Sequence, residues 1–107
     1  MSLGDFLGLP YEGKRYCATL ARAYLAEQGI PLPDVDHPAA ATDWVRVERP
    51  QANDVVVFNI LGRPGHVGVC LGKDRFLHCE ERRASCVDRL SSAMWAPRIE
   101  GYYRCAR

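Results

Sequence analysis

The stretch 54–79, DVVVFNILGRPGHVGVCLGKDRFLHC, decides the fold. Within it Val55-Val-Val-Phe58, His66-Val-Gly-Val-Cys-Leu71 and Arg75-Phe-Leu-His-Cys79 are short runs rich in β-branched and aromatic residues. Gly62-Arg-Pro-Gly65 and Gly72-Lys-Asp74 separate them. Such runs, punctuated by turn residues, predict antiparallel strands joined by hairpins. Side chains alternate along a strand, so His66, Gly68 and Cys70 share one face, and Phe76 and His78 share one face of the next strand. A tight hairpin with Gly68 opposite His78 turns both imidazoles to the same side, and the missing side chain at 68 leaves room for a ring. A slip of one residue would separate them.

Upstream, Cys17, Leu20, Ala21 and Tyr24 follow the i, i+3, i+4, i+7 spacing of one helix face, with Arg22 and Glu27 off it, and predict a helix over Tyr16–Gln28. Gly29, then Pro31 and Pro33, supply its stop. Gly8-Leu-Pro-Tyr-Glu-Gly13 reads as a loop that brings backbone close to the helix start. Residues 34–54 read as a connecting segment with a short helical turn around Ala39–Trp44. Downstream, a turn or short helix near Ser91–Trp95 precedes a final strand over Arg98–Arg104. A helix followed by antiparallel strands is an α+β arrangement.

At 107 residues, with 14 basic and 13 acidic side chains and a net charge of +1, the chain reads as one domain over 1–107 without an electrostatic footprint for nucleic acid. The mixed run Glu80-Glu-Arg-Arg83 reads as a solvated turn. No apolar run approaches the roughly 18 residues that span a bilayer, and no basic-then-apolar leader opens the sequence, so synthesis in the cytoplasm and no membrane span are expected. Cysteines 17, 70, 79, 86 and 105 are odd in number and form no close doublet. Reduced thiols are therefore expected, with neither a disulfide framework nor a zinc site. A metal held by His66, His78 and a cysteine is weighed and set aside for want of a compact ligand pair, and no cofactor is expected.

The chemistry resides in Cys17, His66 and His78. A free thiol has a pKa near 8.5 and is only slightly ionised at neutral pH. In the first turn of a helix, Cys17 meets unsatisfied backbone N–H groups and the positive end of the helix dipole, which favour a thiolate and also suit an oxyanion. With an imidazole on a neighbouring hairpin and a second polar group to orient it, this is the layout of a cysteine nucleophile with its base. Taken singly, each residue is ordinary: a buried Cys is usually a small hydrophobe, and a strand His is usually structural. Cys70 and Cys79 on the hairpin, and Cys86 and Cys105 at the periphery, are assigned packing or surface roles. Trp44, Trp95, Tyr102 and Tyr103 are assigned to core or platform, and His37 to a solvent-exposed loop.

The pieces Gly8-Leu-Pro-Tyr11, Cys17 with Leu20 and Tyr24, Asp54–Phe58, His66–Gly72, Phe76-Leu-His78, Trp95, Arg98-Ile99 and Gly101–Arg104 resemble the NlpC family of papain-like cell-wall cysteine peptidases, above all its short phage and prophage members. The resemblance spans nearly the whole chain. It departs at the nucleophile, where Tyr16-Cys-Ala-Thr19 replaces the usual Asp-Cys-Ser-Gly. The resemblance implies a papain-like domain, a nucleophile helix packed on a small antiparallel sheet. It implies attack by Cys17 on an amide of peptidoglycan stem peptides, commonly the γ-D-glutamyl to diamino acid bond. His66 is then the general base, His78 its orienter, and Tyr11 with the backbone of Ala18 contributes to substrate or oxyanion binding. Delivery to the wall by a phage tail, with tail proteins as partners, is a further implication. The alternatives are a catalytically weak tail-assembly or wall-binding module and, ranked below it, a thiol acyltransferase.

Overall fold

The structure, a computed structural model, describes residues 3–11, 16–32 and 43–106. Among these residues one α-helix, α1 (Tyr16–Glu27), precedes strands β1 (Trp44–Val47), β2 (Val55–Ile60), β3 (Arg63–Gly72), β4 (Arg75–His78), β5 (Cys86–Arg89) and β6 (Ile99–Cys105). The strands form one six-stranded sheet in the order β1-β6-β2-β3-β4-β5, antiparallel throughout. This is the α+β architecture expected from the sequence.

The uninterrupted apolar run of β2 has a direct structural cause. Val55 and Val57 face α1 and join Cys17, Ala21, Leu25, Val67 and Val69 in one core, while Val56 and Phe58 join Cys70, Phe76, Leu90 and Trp95 on the opposite face. A strand buried on both faces has no polar side to alternate with. The helix stops as its sequence dictates. Gly29 adopts φ 76°, its N–H reaches the Ala26 carbonyl at 3.0 Å, and the Ile30 N–H reaches Leu25 at 2.9 Å. That pair of bonds is a Schellman motif, and it needs a left-handed residue where glycine stands.

The central hairpin turns earlier than expected. Leu61 and Gly62, with φ 53° and 82°, form a two-residue turn between the paired Ile60 and Arg63, so Arg63, Pro64 and Gly65 belong to β3. Positive φ at both turn positions is the type I′ pattern, whose twist matches the flanking strands. The register then shifts: Phe58 pairs with His66 but Asn59 pairs with Pro64, leaving Gly65 as the extra residue of a bulge directly before His66. Such bulges bend a strand and re-aim the side chain that follows.

β1 and β5 were not expected. Trp44, placed at the end of a helical turn by the sequence reading, instead begins β1 opposite Cys105. The rest of that proposed turn, and His37, lie outside the described residues. Ser91–Trp95 is a turn, followed by a short 3-10 helix over Ala96–Arg98 that leads into β6. β6 runs between β1 and β2, and its Arg104 makes a two-pronged contact with the buried Asp54, Nε to Oδ1 at 2.9 Å and Nη2 to Oδ2 at 2.8 Å. Asp54 also accepts the Gln51 N–H at 2.7 Å, so the start of β2 is fixed to the last strand.

Val69 pairs with Leu77 and Cys70 with Phe76, a register that carries Gly68 opposite His78. A Cβ at 68 would lie 2.8 Å from Phe76 Cδ2, 2.9 Å from the Leu77 carbonyl oxygen and 3.3 Å from His78 Cβ. Because one of those atoms is backbone, the strands would have to separate. Gly68→Ala is therefore expected to destabilise the fold by about 1–3 kcal/mol, the usual cost of overpacking, and to displace His78. Urea denaturation checks the first effect, and a wild-type midpoint in Gly68→Ala would refute it.

Candidate active site

Cys17 is the second residue of α1, buried with its neighbours Leu20 and Ala21 against the sheet. His66 lies just beyond the Gly65 bulge of β3. The two side chains line one cleft of about 250 Å³, together with Tyr11, Ile60, Glu80, Glu81, Trp95 and Arg98. Ala18, half-buried, follows Cys17 in the first turn of the helix. The run Glu80–Arg83 does form a turn, but its two acids also wall the cleft, a role that a solvated turn did not suggest.

Behind the cleft runs a chain of hydrogen bonds. His66 Nε2 lies 2.8 Å from His78 Nδ1, and His78 Nε2 lies 2.7 Å from Asp88 Oδ2. A carboxylate only accepts, so Asp88 accepts a hydrogen bond from the Nε2–H of His78, which leaves Nδ1 of that ring as an acceptor for the Nε2–H of His66. His66 Nδ1 is then the nitrogen without a proton. The ring is clamped sideways as well: it stacks on Trp95 with centroids 5.4 Å apart and planes 20° apart, and Phe58 packs at 5.7 Å. Trp95 is thus the platform on which His66 rests.

The environment sets the charge states. Burial, aided by the neighbouring His78, pushes His66 down to about 3. Burial also lowers His78, against the opposing pull of Asp88 and Glu80. The contact of His78 with Asp88 has ion-pair geometry, yet desolvation outweighs the carboxylate, and a neutral ring donating to Asp88 is the consistent description. Burial and the Asp88 charge push the Cys86 thiol up to about 11, and burial with the Asp54 charge pushes Cys70 up to about 12, so both stay protonated at neutral pH. Buried Cys79 is raised likewise, and its thiol donates to the Arg83 carbonyl at 3.4 Å.

The lowered His66 has a consequence for stability. The unfolded ring binds a proton below about 6.5, whereas the folded ring resists it down to about 3, so stability is lost as pH falls between those values. At 1.36 kcal/mol per pH unit, the loss between pH 7 and pH 5 is roughly 2 kcal/mol. Thermal denaturation across this range should show the decline in wild type and a flatter profile in His66→Gln; equal slopes would refute it.

Asp88 was not anticipated. Its strand, Cys86-Val-Asp-Arg89, is four residues long with one β-branched member, and only the two-residue spacing of Cys86 and Asp88 hints that both face the same way. Cys86 also corrects the sequence reading: it is not peripheral but pairs across from His78, with its sulfur 3.7 Å from Nε2. Among the described residues His78, Cys86 and Asp88 form a cluster able to hold a metal ion, a set different from the one weighed on sequence. All five thiols are free.

A helix packed against an antiparallel sheet in this order is the papain-like class of fold. A sequence model of the NlpC/P60 family matches residues 8–104, and the chain belongs to that family. Among solved structures it is similar to a lipoprotein-like NLP/P60 family protein of Staphylococcus aureus (26% identity, TM-score 0.74), covering 96% of this chain and 38% of that one. It is also similar to an NlpC/P60 family protein of Bacillus cereus (22%, TM-score 0.77), covering 95% and 37%. The NlpC/p60 domain of the peptidoglycan hydrolase SagA shares the fold as well (20%, TM-score 0.69), covering 94% and 91%. The chain thus spans under two fifths of the first two proteins and nearly all of the SagA domain. No curated protein matches the sequence. Among the described residues no helix is long and apolar enough to cross a membrane.

Proposed function

We propose that this chain is a cysteine hydrolase of peptidoglycan stem peptides, acting at the γ-D-glutamyl to diamino acid bond. The observation that carries the reading is the hydrogen-bonded series His66, His78, Asp88, which ends at a cleft shared with Cys17. His66 Nδ1 takes the thiol proton of Cys17, and the thiolate attacks the substrate carbonyl carbon. Collapse of the tetrahedral intermediate breaks the C–N bond, the amine leaving with the proton held by His66. Water, deprotonated by the same nitrogen, then cleaves the thioester and regenerates the thiol. A neutral His66 can accept, and a thiolate formed beside it draws its pKa upward at the moment the proton must be held.

Tyr11 and the backbone of Ala18 are the proposed oxyanion and substrate contacts, supported by Tyr11 lining the cleft and by Ala18 following the thiol in the first helical turn. Family membership and the likeness to a hydrolase domain support the peptidoglycan substrate. Incubation with peptidoglycan fragments of defined stem peptide, followed by mass spectrometry, tests the reading. Cleavage at one amide by wild type and none by Cys17→Ala is expected; no cleavage by either folded protein would favour a wall-binding or tail-assembly module. Delivery to the wall on a virion tail is the companion proposal, tested by following a tagged chain to assembled virions or to soluble lysate.

A further inference from the structure

The end of the hydrogen-bonded series carries chemistry that hydrolysis does not use. His78 and Cys86 are directly paired across β4 and β5, and Asp88 follows two residues later on the same face. Three different donor types therefore converge: the Cys86 sulfur lies 3.7 Å from His78 Nε2 and 3.7 Å from Asp88 Oδ2, and Nε2 and Oδ2 are 2.7 Å apart. With zinc–sulfur bonds near 2.3 Å and zinc–nitrogen or zinc–oxygen bonds near 2.1 Å, a tetrahedral ion holds its ligand atoms roughly 3.4–3.6 Å apart. Both sulfur separations, at 3.7 Å, already lie within about 0.1 Å of the upper value. The third must widen by roughly 0.7 Å, the change that follows when an ion larger than the shared proton comes between nitrogen and carboxylate.

We propose that His78, Cys86 and Asp88 form a binding site for a thiophilic divalent cation of the zinc type. Thiolate and imidazole select such ions over magnesium and calcium, which favour all-oxygen sites. The Asp88 side chain is 40% exposed and that of His78 is fully buried, so the ion enters past the carboxylate and keeps water as its fourth ligand from the same side. Cys86 binds as thiolate and its proton passes to solvent. The far nitrogen of His78 is already bonded to His66, the support a metal-bound imidazole ordinarily has.

Coordination at Nε2 reverses the proton order along the series. Neutral His78 then carries its proton on Nδ1 and donates to His66 Nε2, and the His66 proton moves to Nδ1, the nitrogen that the proposed mechanism needs free of a proton. On the proposed hydrolase reading, the ion switches off the base without touching Cys17. Binding itself does not depend on that reading and is measured apart from it.

Cadmium serves as the probe, because a bound thiolate gives it an ultraviolet charge-transfer band. The full reduced chain, freed of metal by chelator, is titrated with Cd²⁺ alone, and Zn²⁺ is then added in competition. A band saturating at one equivalent is expected in wild type and in Cys17→Ala, displaced by Zn²⁺, with affinity weakened at least about tenfold in Asp88→Asn. Cys86→Ala should lose the band while keeping the wild-type circular dichroism; Cys86→Ser, of nearly the same size, reads the same point should the alanine variant not fold. A band that survives loss of the Cys86 sulfur, that vanishes in Cys17→Ala, or that fails to saturate in wild type would overturn the site. Hydrolysis is not scored here, so failure of the metal site and failure of the enzymatic reading remain distinguishable.

Discussion

On the proposed mechanism, replacing His66 by glutamine is expected to lower kcat/KM on a stem-peptide substrate by about 10³- to 10⁴-fold, the upper part of the range over which a positioned base acts. Glutamine nearly fills the volume between Trp95 and Phe58, so the change removes the base without opening a large hole in the core around the cleft. The same variant loses selective alkylation at Cys17. With His66 present, Cys17 should react with iodoacetamide before the other four thiols. Cys70 and Cys86 are held protonated by burial and nearby carboxylates, and Cys79 is both buried and engaged with the Arg83 carbonyl. Peptide mapping after brief labelling reads this order directly. Retained activity in His66→Gln, or labelling that starts at Cys86 or Cys105, would remove His66 from the role of base.

The parts of this site that the sequence announced are those where local chemistry and long-range structure agree. Hairpin punctuation and the alternation of His66, Gly68 and Cys70 were enough to place the two imidazoles together, because a glycine opposite a ring permits only a close register. The α1 stripe and its glycine stop are likewise local signals. What stayed hidden depends on partners remote in sequence. β1 is a strand because β6 pairs with it, and β5 because β4 does; neither has a strong run of its own. The bulge at Gly65 was concealed inside a segment that reads as turn throughout. Cys86 therefore reads as peripheral, and Asp88 has no assigned role, until β5 is laid against His78.

Asparagine at position 88 is expected to cost about 10²- to 10³-fold in kcat/KM, short of the loss at His66, while leaving global stability nearly unchanged in chelator-treated protein. The Asp88 side chain is partly exposed, so no charge is stranded in the core by its removal. Its effect passes through proton order. A carboxylate can only accept, and it obliges His78 to carry hydrogen on Nε2; an amide can also donate, and then Nδ1 of His78 takes the proton and opposes the Nε2–H of His66. His66 must respond by moving its proton to Nδ1, the nitrogen that on the proposed mechanism has to be empty to receive the thiol hydrogen. Asp88 is thus a positioning residue two hydrogen bonds from the cleft. The loss should fall on kcat rather than KM, and ¹⁵N spectra should show His78 changing from the Nε2–H to the Nδ1–H tautomer. Wild-type kinetics with that tautomer change would show that the proton order does not govern the chemistry. Lost kinetics without the change would show that Asp88 acts through packing instead.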